Sequence, residues 1–120
     1  MLFRSCTDNC GNTIVDMIAA GSGVLWATPE GNIYSSVVGQ STSTGTLVGT
    51  VAQNPVRIAA DAFYVYVTVA DTVVALRLTG GAPITLAAGQ PSPFGVAVDL
   101  TNVYWTNGDG TVRTTSVPPH

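Results

Sequence analysis

From Tyr64 to Val69 the chain reads Tyr-Val-Tyr-Val-Thr-Val, six apolar or β-branched residues without a charge. A run this short and this rich in valine predicts a strand covered on both faces, not a helix. Breakers bound it on either side. Asp71-Thr72, Gly80-Gly81-Ala82-Pro83 and Gly89-Gln90-Pro91 carry the turn chemistry that separates short strands. Four strands follow for this stretch: Val56–Asp61, Tyr64–Ala70, Val73–Leu78 and Ile84–Ala88. The same pattern predicts Ile14–Ala20, Val24–Thr28, Asn32–Val38 and Thr46–Val51 before it, and Phe94–Asp99, Val103–Asn107 and Thr111–Val117 after it.

The pattern repeats in residue identity as well as polarity. Pro93-Phe94-Gly95-Val96-Ala97-Val98-Asp99 echoes Pro55-Val56-Arg57-Ile58-Ala59-Ala60-Asp61, 38 residues apart (93 against 55). At that offset Val65, Tyr66 and Thr68 meet Val103, Tyr104 and Thr106, Asp71 meets Asp109, and Val74 meets Val112. An earlier copy, Val24-Leu25-Trp26-Ala27 with Glu30-Gly31, matches Val103-Tyr104-Trp105-Thr106 with Asp109-Gly110 two periods on.

Four strands in each period of about 40 residues are the signature of a propeller blade. The predicted fold is all-β: β-propeller blades, each a four-stranded antiparallel repeat, about three of them. They form a partial propeller or half of a six-bladed ring. A β-sandwich is the alternative, but it has no reason to repeat its sequence. The units are an N-terminal strand and Cys-x3-Cys connection (1–12), blade 1 (13–53), blade 2 (54–91), an incomplete blade 3 (92–117) and a tail (118–120). Three blades do not close a ring. The expectation is therefore a piece of a longer propeller, or a homodimer in which Leu2–Cys6 of one copy completes the last blade of the other. The open end blades are expected to present apolar faces.

Composition agrees with this. Only 9% of the 120 residues are charged while 46% are hydrophobic, and an average soluble domain carries about 25% charged residues. Strand surfaces must be covered, and disorder is excluded. The four basic residues, Arg4, Arg57, Arg77 and Arg113, are scattered and there is no lysine, so nucleic acid is not an expected partner. No apolar run is long enough for a membrane helix. Met1-Leu2-Phe3-Arg4 does not begin a signal peptide.

With Val103-Tyr104-Trp105-Thr106-Asn107 in place, the repeat resembles the YWTD and NHL-like propellers, especially bacterial secreted or surface proteins. The resemblance rests on Pro93-Phe94-Gly95-Val96-Ala97-Val98-Asp99, Val103–Thr106, Gly110-Thr111-Val112 and Gly80-Gly81-Ala82-Pro83-Ile84-Thr85-Leu86-Ala87, and it covers most of residues 13–117. It implies a binding or structural scaffold in a secreted, periplasmic or cell-surface protein. The acidic residue that ends the family's motif is replaced by Asn107, Val69 and Thr28, so its role of tying blades together does not transfer.

Each candidate residue has a plain reading beside a functional one. Asp61 and Asp99 close first strands and suit turns whose backbone amides they accept from; the functional alternative is a ligand position near the central channel. Asp109-Gly110, like Glu30-Gly31, suits a hairpin with positive φ. Trp26 and Trp105 occupy equivalent positions, either packed between blades or facing a sugar or peptide ligand. Tyr34, Tyr64, Tyr66 and Tyr104 share that choice, with Tyr104 the first candidate for an exposed hydroxyl. Cys6 and Cys10 read as a local disulfide or as two free thiols; paired cysteines on strand connections would also fit the resemblance.

No catalytic, metal or cofactor residues are expected. The one histidine, His120, ends the chain, and Glu30 is the one glutamate. The leading function is a non-catalytic interaction module with a protein or glycan ligand. Half of a metal-dependent propeller hydrolase or lyase, and a sugar-binding lectin, are the alternatives.

Overall fold

The computed structural model describes residues 14–20, 23–37, 46–52 and 54–118. The strand expected at Leu2–Cys6 and the Cys6–Cys10 pair lie outside them. The described residues contain eleven strands: β1 (Asp16–Ala20), β2 (Gly23–Ala27), β3 (Asn32–Val37), β4 (Thr46–Thr50), β5 (Pro55–Ala60), β6 (Tyr64–Val69), β7 (Thr72–Arg77), β8 (Ile84–Ala87), β9 (Pro93–Val98), β10 (Asn102–Asn107) and β11 (Val112–Ser116). They form three antiparallel meanders, β1-β2-β3-β4, β5-β6-β7-β8 and β9-β10-β11. The first strands lie side by side, β1 against β5 and β5 against β9. These are propeller blades packed face to face, the third with three described strands.

Burial follows from the stacking. Every residue of β6 is buried, because each of its faces meets another blade. Val65, Val67 and Val69 join Leu25, Ala27 and Ile33 of blade 1. On the opposite face Tyr64 and Tyr66 join Val103 and Trp105 of blade 3. In β10 the pattern alternates: Val103, Trp105 and Asn107 are buried, while Tyr104 and Thr106 are exposed. Only one face of blade 3 is covered among the described residues.

That uncovered face differs from the apolar surface expected of an open end. Strand alternation places Tyr104, Thr106, Val112, Thr114 and Ser116 on it. Hydroxyls dominate, with Tyr104 and Val112 as the large apolar members. The sequence alignment also slips by one residue here. Val112 pairs with Thr106, as Val73 pairs with Thr68, so its counterpart is Val73 and not Val74. The cause is the preceding turn. Blade 2 turns through Ala70 and Asp71, whereas blades 1 and 3 use one more residue and a glycine at positive φ, Gly31 (96°) and Gly110 (90°). A slip of one residue moves a side chain to the other face of the sheet.

Specific bonds join the blades. The Ile58 amide of β5 donates to the Asp16 carboxylate of β1 at 3.0 Å. The Thr68 hydroxyl of β6 donates to the Phe94 carbonyl of β9 at 2.8 Å, and the Arg57 guanidinium lies over the Phe94 ring at 4.4 Å, a cation–π contact. Gln90, in the linker between blades 2 and 3, accepts from the Trp105 indole and the Asn107 amide, both at 3.2 Å. Asn107 therefore ties blade 3 to the linker.

Candidate functional site

In blades 2 and 3 the turns joining first and second strands lie at one rim. In blade 2, Asp61 Oδ1 accepts from the amides of Phe63 and Tyr64, both at 2.8 Å. Its other oxygen accepts from the Tyr66 hydroxyl at 2.8 Å. Blade 3 repeats the arrangement one period on. Asp99 Oδ1 accepts from the Thr101 and Asn102 amides at 2.9 and 2.8 Å, and Oδ2 accepts from the Tyr104 hydroxyl at 2.7 Å. A short carboxylate fits here because it reaches back to amides two and three residues on. Tyrosine five residues later reaches the second oxygen.

The two copies differ in their surroundings. Tyr66 is buried between blades, and desolvation together with the Asp61 hydrogen bond pushes its hydroxyl well above the usual tyrosine range. Tyr104 stands on the open face at 36% exposure; the bond to Asp99 raises its hydroxyl as well. The Thr101 amide, with help from Tyr104 and Asn102, holds the Asp99 carboxyl down at about 2. Asp109 is lowered by the Thr111 hydroxyl and amide, which donate to it at 2.6 and 3.1 Å and brace the hairpin beside Gly110.

Two expected outcomes follow. Tyr66→Phe strands a carboxylate oxygen beside a buried ring, and urea denaturation should show a loss of about 1–3 kcal/mol. Tyr104→Phe should shift the same transition far less, because water replaces the lost hydroxyl at an exposed site. For Asp99 the folded pKa lies below the unfolded one. Its stabilisation is complete above the usual carboxylate range and is lost as pH falls toward about 2. A carboxyl-carbon NMR titration should place Asp99 at the low end of the aspartates, and Asp99→Asn should flatten the stability profile in that acid window.

Of the three residues named as ligand-facing, the structure buries two. Trp26 and Trp105 are 6% and 4% exposed. Trp105 packs against blade 2, and Trp26 stacks on Tyr34 of its own sheet at 5.7 Å. Tyr104 is the one of the three on an open surface. What the sequence reading missed at the rim is apolar: Phe63 and Leu100 occupy the Asp61 and Asp99 turns, half and 94% exposed. Asp16, Thr68 and Gln90 were also missed as blade-to-blade contacts, although the recurrence of threonine at Thr68 and Thr106 was a usable signal. Among the described residues no three His, Cys, Asp or Glu side chains converge, and no helix is long and apolar enough to cross a membrane.

No protein-family model and no curated protein matches the sequence. Solved structures do match. One is a β-propeller chain from a nidogen–laminin complex, with TM-score 0.72 and 19% identity over 88% of this chain and 44% of that one. Human WBSCR16 follows with TM-score 0.64 and 18% identity over 88% of this chain and 33% of its own. The computationally designed Ika4 protein has TM-score 0.60 and 12% identity over 89% of this chain and 92% of its own. The chain spans less than half the length of the first two. These likenesses establish the fold as β-propeller.

Proposed function

We propose that the chain is a non-catalytic interaction module of the YWTD/NHL-like kind, part of a longer secreted, periplasmic or surface propeller protein. It meets a protein partner through the rim of its first-to-second-strand turns. The observation that carries this reading is Leu100, almost fully exposed on a turn that Asp99 fixes through two backbone amides. An apolar side chain held in water on a rigid backbone costs little further ordering when a partner covers it. The equivalent turn carries Phe63, half-exposed and one position further along. The nidogen–laminin neighbour, a chain of a protein–protein complex, is in keeping with such a partner.

The lectin reading is weaker, since Trp26 and Trp105 are buried and Tyr104 remains. Extracellular-protein and glycan arrays, probed with the parent chain and with a Phe63→Asp, Leu100→Asp double variant, test the proposal. A protein hit that the double variant loses is the expected result. Glycan hits, binding that ignores the two substitutions, or turnover on a lactone panel would overturn it.

A further inference from the structure

Asn107 is the one asparagine in the chain that glycine follows. A glycine there has no Cβ to hinder attack on the preceding side chain and adopts the backbone conformations that attack needs. In that reaction the Gly108 nitrogen bonds to the Asn107 side-chain carbon and closes a five-membered imide. The bond from that carbon to Nδ2 breaks, and ammonia leaves with the proton that the Gly108 nitrogen gives up. Water then opens the imide at either carbonyl, leaving aspartate or isoaspartate. The fold holds every participant in place. Asn107 is 6% exposed, and its Nδ2 donates to Gln90 Oε1 of the linker and to Thr111 Oγ1 beside the β10–β11 turn, both at 3.2 Å. The Gly108 amide donates to the Pro91 and Ser92 carbonyls at 2.8 and 3.0 Å, which keeps its proton in place. Among the described residues nothing donates to the buried Asn107 Oδ1, so no group stabilises the charge that gathers on it as the nitrogen adds.

We propose that Asn107–Gly108 is a modification site that the docked linker keeps silent, and that it converts when residues 90–92 lift from the turn at 108–111. Conversion is one-way. Aspartate places an acceptor where Nδ2 donated, facing Gln90 Oε1 and Thr111 Oγ1. Gln90 Oε1 already accepts from the Trp105 indole, and the Thr111 hydroxyl is already given to Asp109 at 2.6 Å. A buried carboxylate without donors opposes redocking of the linker. Isoaspartate adds a main-chain carbon to the hairpin as well. The site thus turns a passing separation of blade 3 from the linker into a lasting one. It lies at the end of β10 opposite the Asp99 turn, and it stands even if the rim binds nothing.

The test incubates the full 120-residue chain in mildly alkaline buffer, folded and in urea. Trypsin then releases residues 78–113, between Arg77 and Arg113, and mass spectrometry with fragmentation reads conversion at residue 107. The folded chain should convert at least roughly tenfold more slowly than the unfolded one, since reaction waits for local opening. Gln90→Ala removes the acceptor of both Nδ2 and the indole, and should speed conversion of the folded chain roughly tenfold, the loss of two hydrogen bonds. Gln90→Glu keeps the acceptor and should stay slow, as should Tyr104→Phe on the other face of β10. Urea midpoints confirm that each variant is folded at the incubation temperature. In Asn107→Asp, hydrogen exchange at the Trp105 indole and the Gly108 amide should quicken roughly tenfold or more, the effect of an unpaired buried charge. Conversion of the folded parent at the urea rate, equal rates in Gln90→Ala and Gln90→Glu, or parent-like exchange in Asn107→Asp would overturn the proposal.

Discussion

Trp105→Ala is expected to cost about 3–5 kcal/mol in chemical denaturation, the usual loss for a buried tryptophan. The ring lies in the cluster that joins blades 2 and 3, against Tyr64, Tyr66, Val73 and Ala75 of one and Val103 of the other. Truncation opens a cavity between two sheets that no backbone hydrogen bonds of a common ladder hold together. It also removes the indole donor from Gln90, which keeps the Asn107 amide. Blade 3 should then lose protection first, so hydrogen exchange in β9–β11 should quicken more than in β1–β4. Trp105→Phe keeps much of the ring and should cost less than half as much. A loss under about 1 kcal/mol for the alanine variant would mean that the indole does not pack at that interface.

Gly31→Ala is the other large effect, and here the cause is backbone. Gly31 turns between β2 and β3 at φ 96°, where a side chain strains the chain by about 1–3 kcal/mol. An added Cβ would also lie 2.3 Å from the Val51 carbonyl oxygen and 2.6 Å from that of Ala52. Those oxygens belong to the linker toward blade 2, and the Val51 amide donates to the Gly31 carbonyl at 2.7 Å. The linker must shift for the methyl to fit, so the total should reach about 2–6 kcal/mol when overpacking is added. Gly110→Ala is the control. Its φ is 90° and nothing lies within 4 Å of the added Cβ, so strain alone should remain, about 1–3 kcal/mol. Thermal or urea unfolding of the two variants side by side separates crowding from conformation.

The blades were legible because the repeat exposes its own period, and because β6 reads as a continuous apolar run only when both faces are covered. Breakers located the strand ends to within one or two residues: β1 starts at Asp16 where Ile14 was expected, and β11 at Val112 where Thr111 was. Alignment by identity failed in the third strand of blade 3. It paired Val74 with Val112, since a one-residue change in turn length leaves composition unaltered while reversing the face. The turn role of Asp61 and Asp99 could be read from their position at strand ends. Their tyrosine partners could not, because a spacing of five residues matters only once strand direction is known. Whether Trp26 and Trp105 faced a ligand or a neighbour depended on which blade face was covered, a property of the assembled stack and not of either residue. Leu100 and Phe63 escaped notice because an apolar residue in a turn carries no motif.

The central claim is that three separate meanders stack face to face, and that the chain does not form continuous sandwich sheets. Nuclear Overhauser contacts on the isotope-labelled chain test it most directly. Backbone contacts should run along each meander, β5 to β6, β6 to β7 and β7 to β8, and stop between β4 and β5. Side-chain contacts should cross between blades, from Val65 and Val67 to Ile33 on one side of β6 and from Tyr64 and Tyr66 to Val103 and Trp105 on the other. Cross-strand backbone contacts joining β4 to β5 or β8 to β9 in one ladder, or β6 methyls and rings meeting the same neighbour, would contradict the blade architecture.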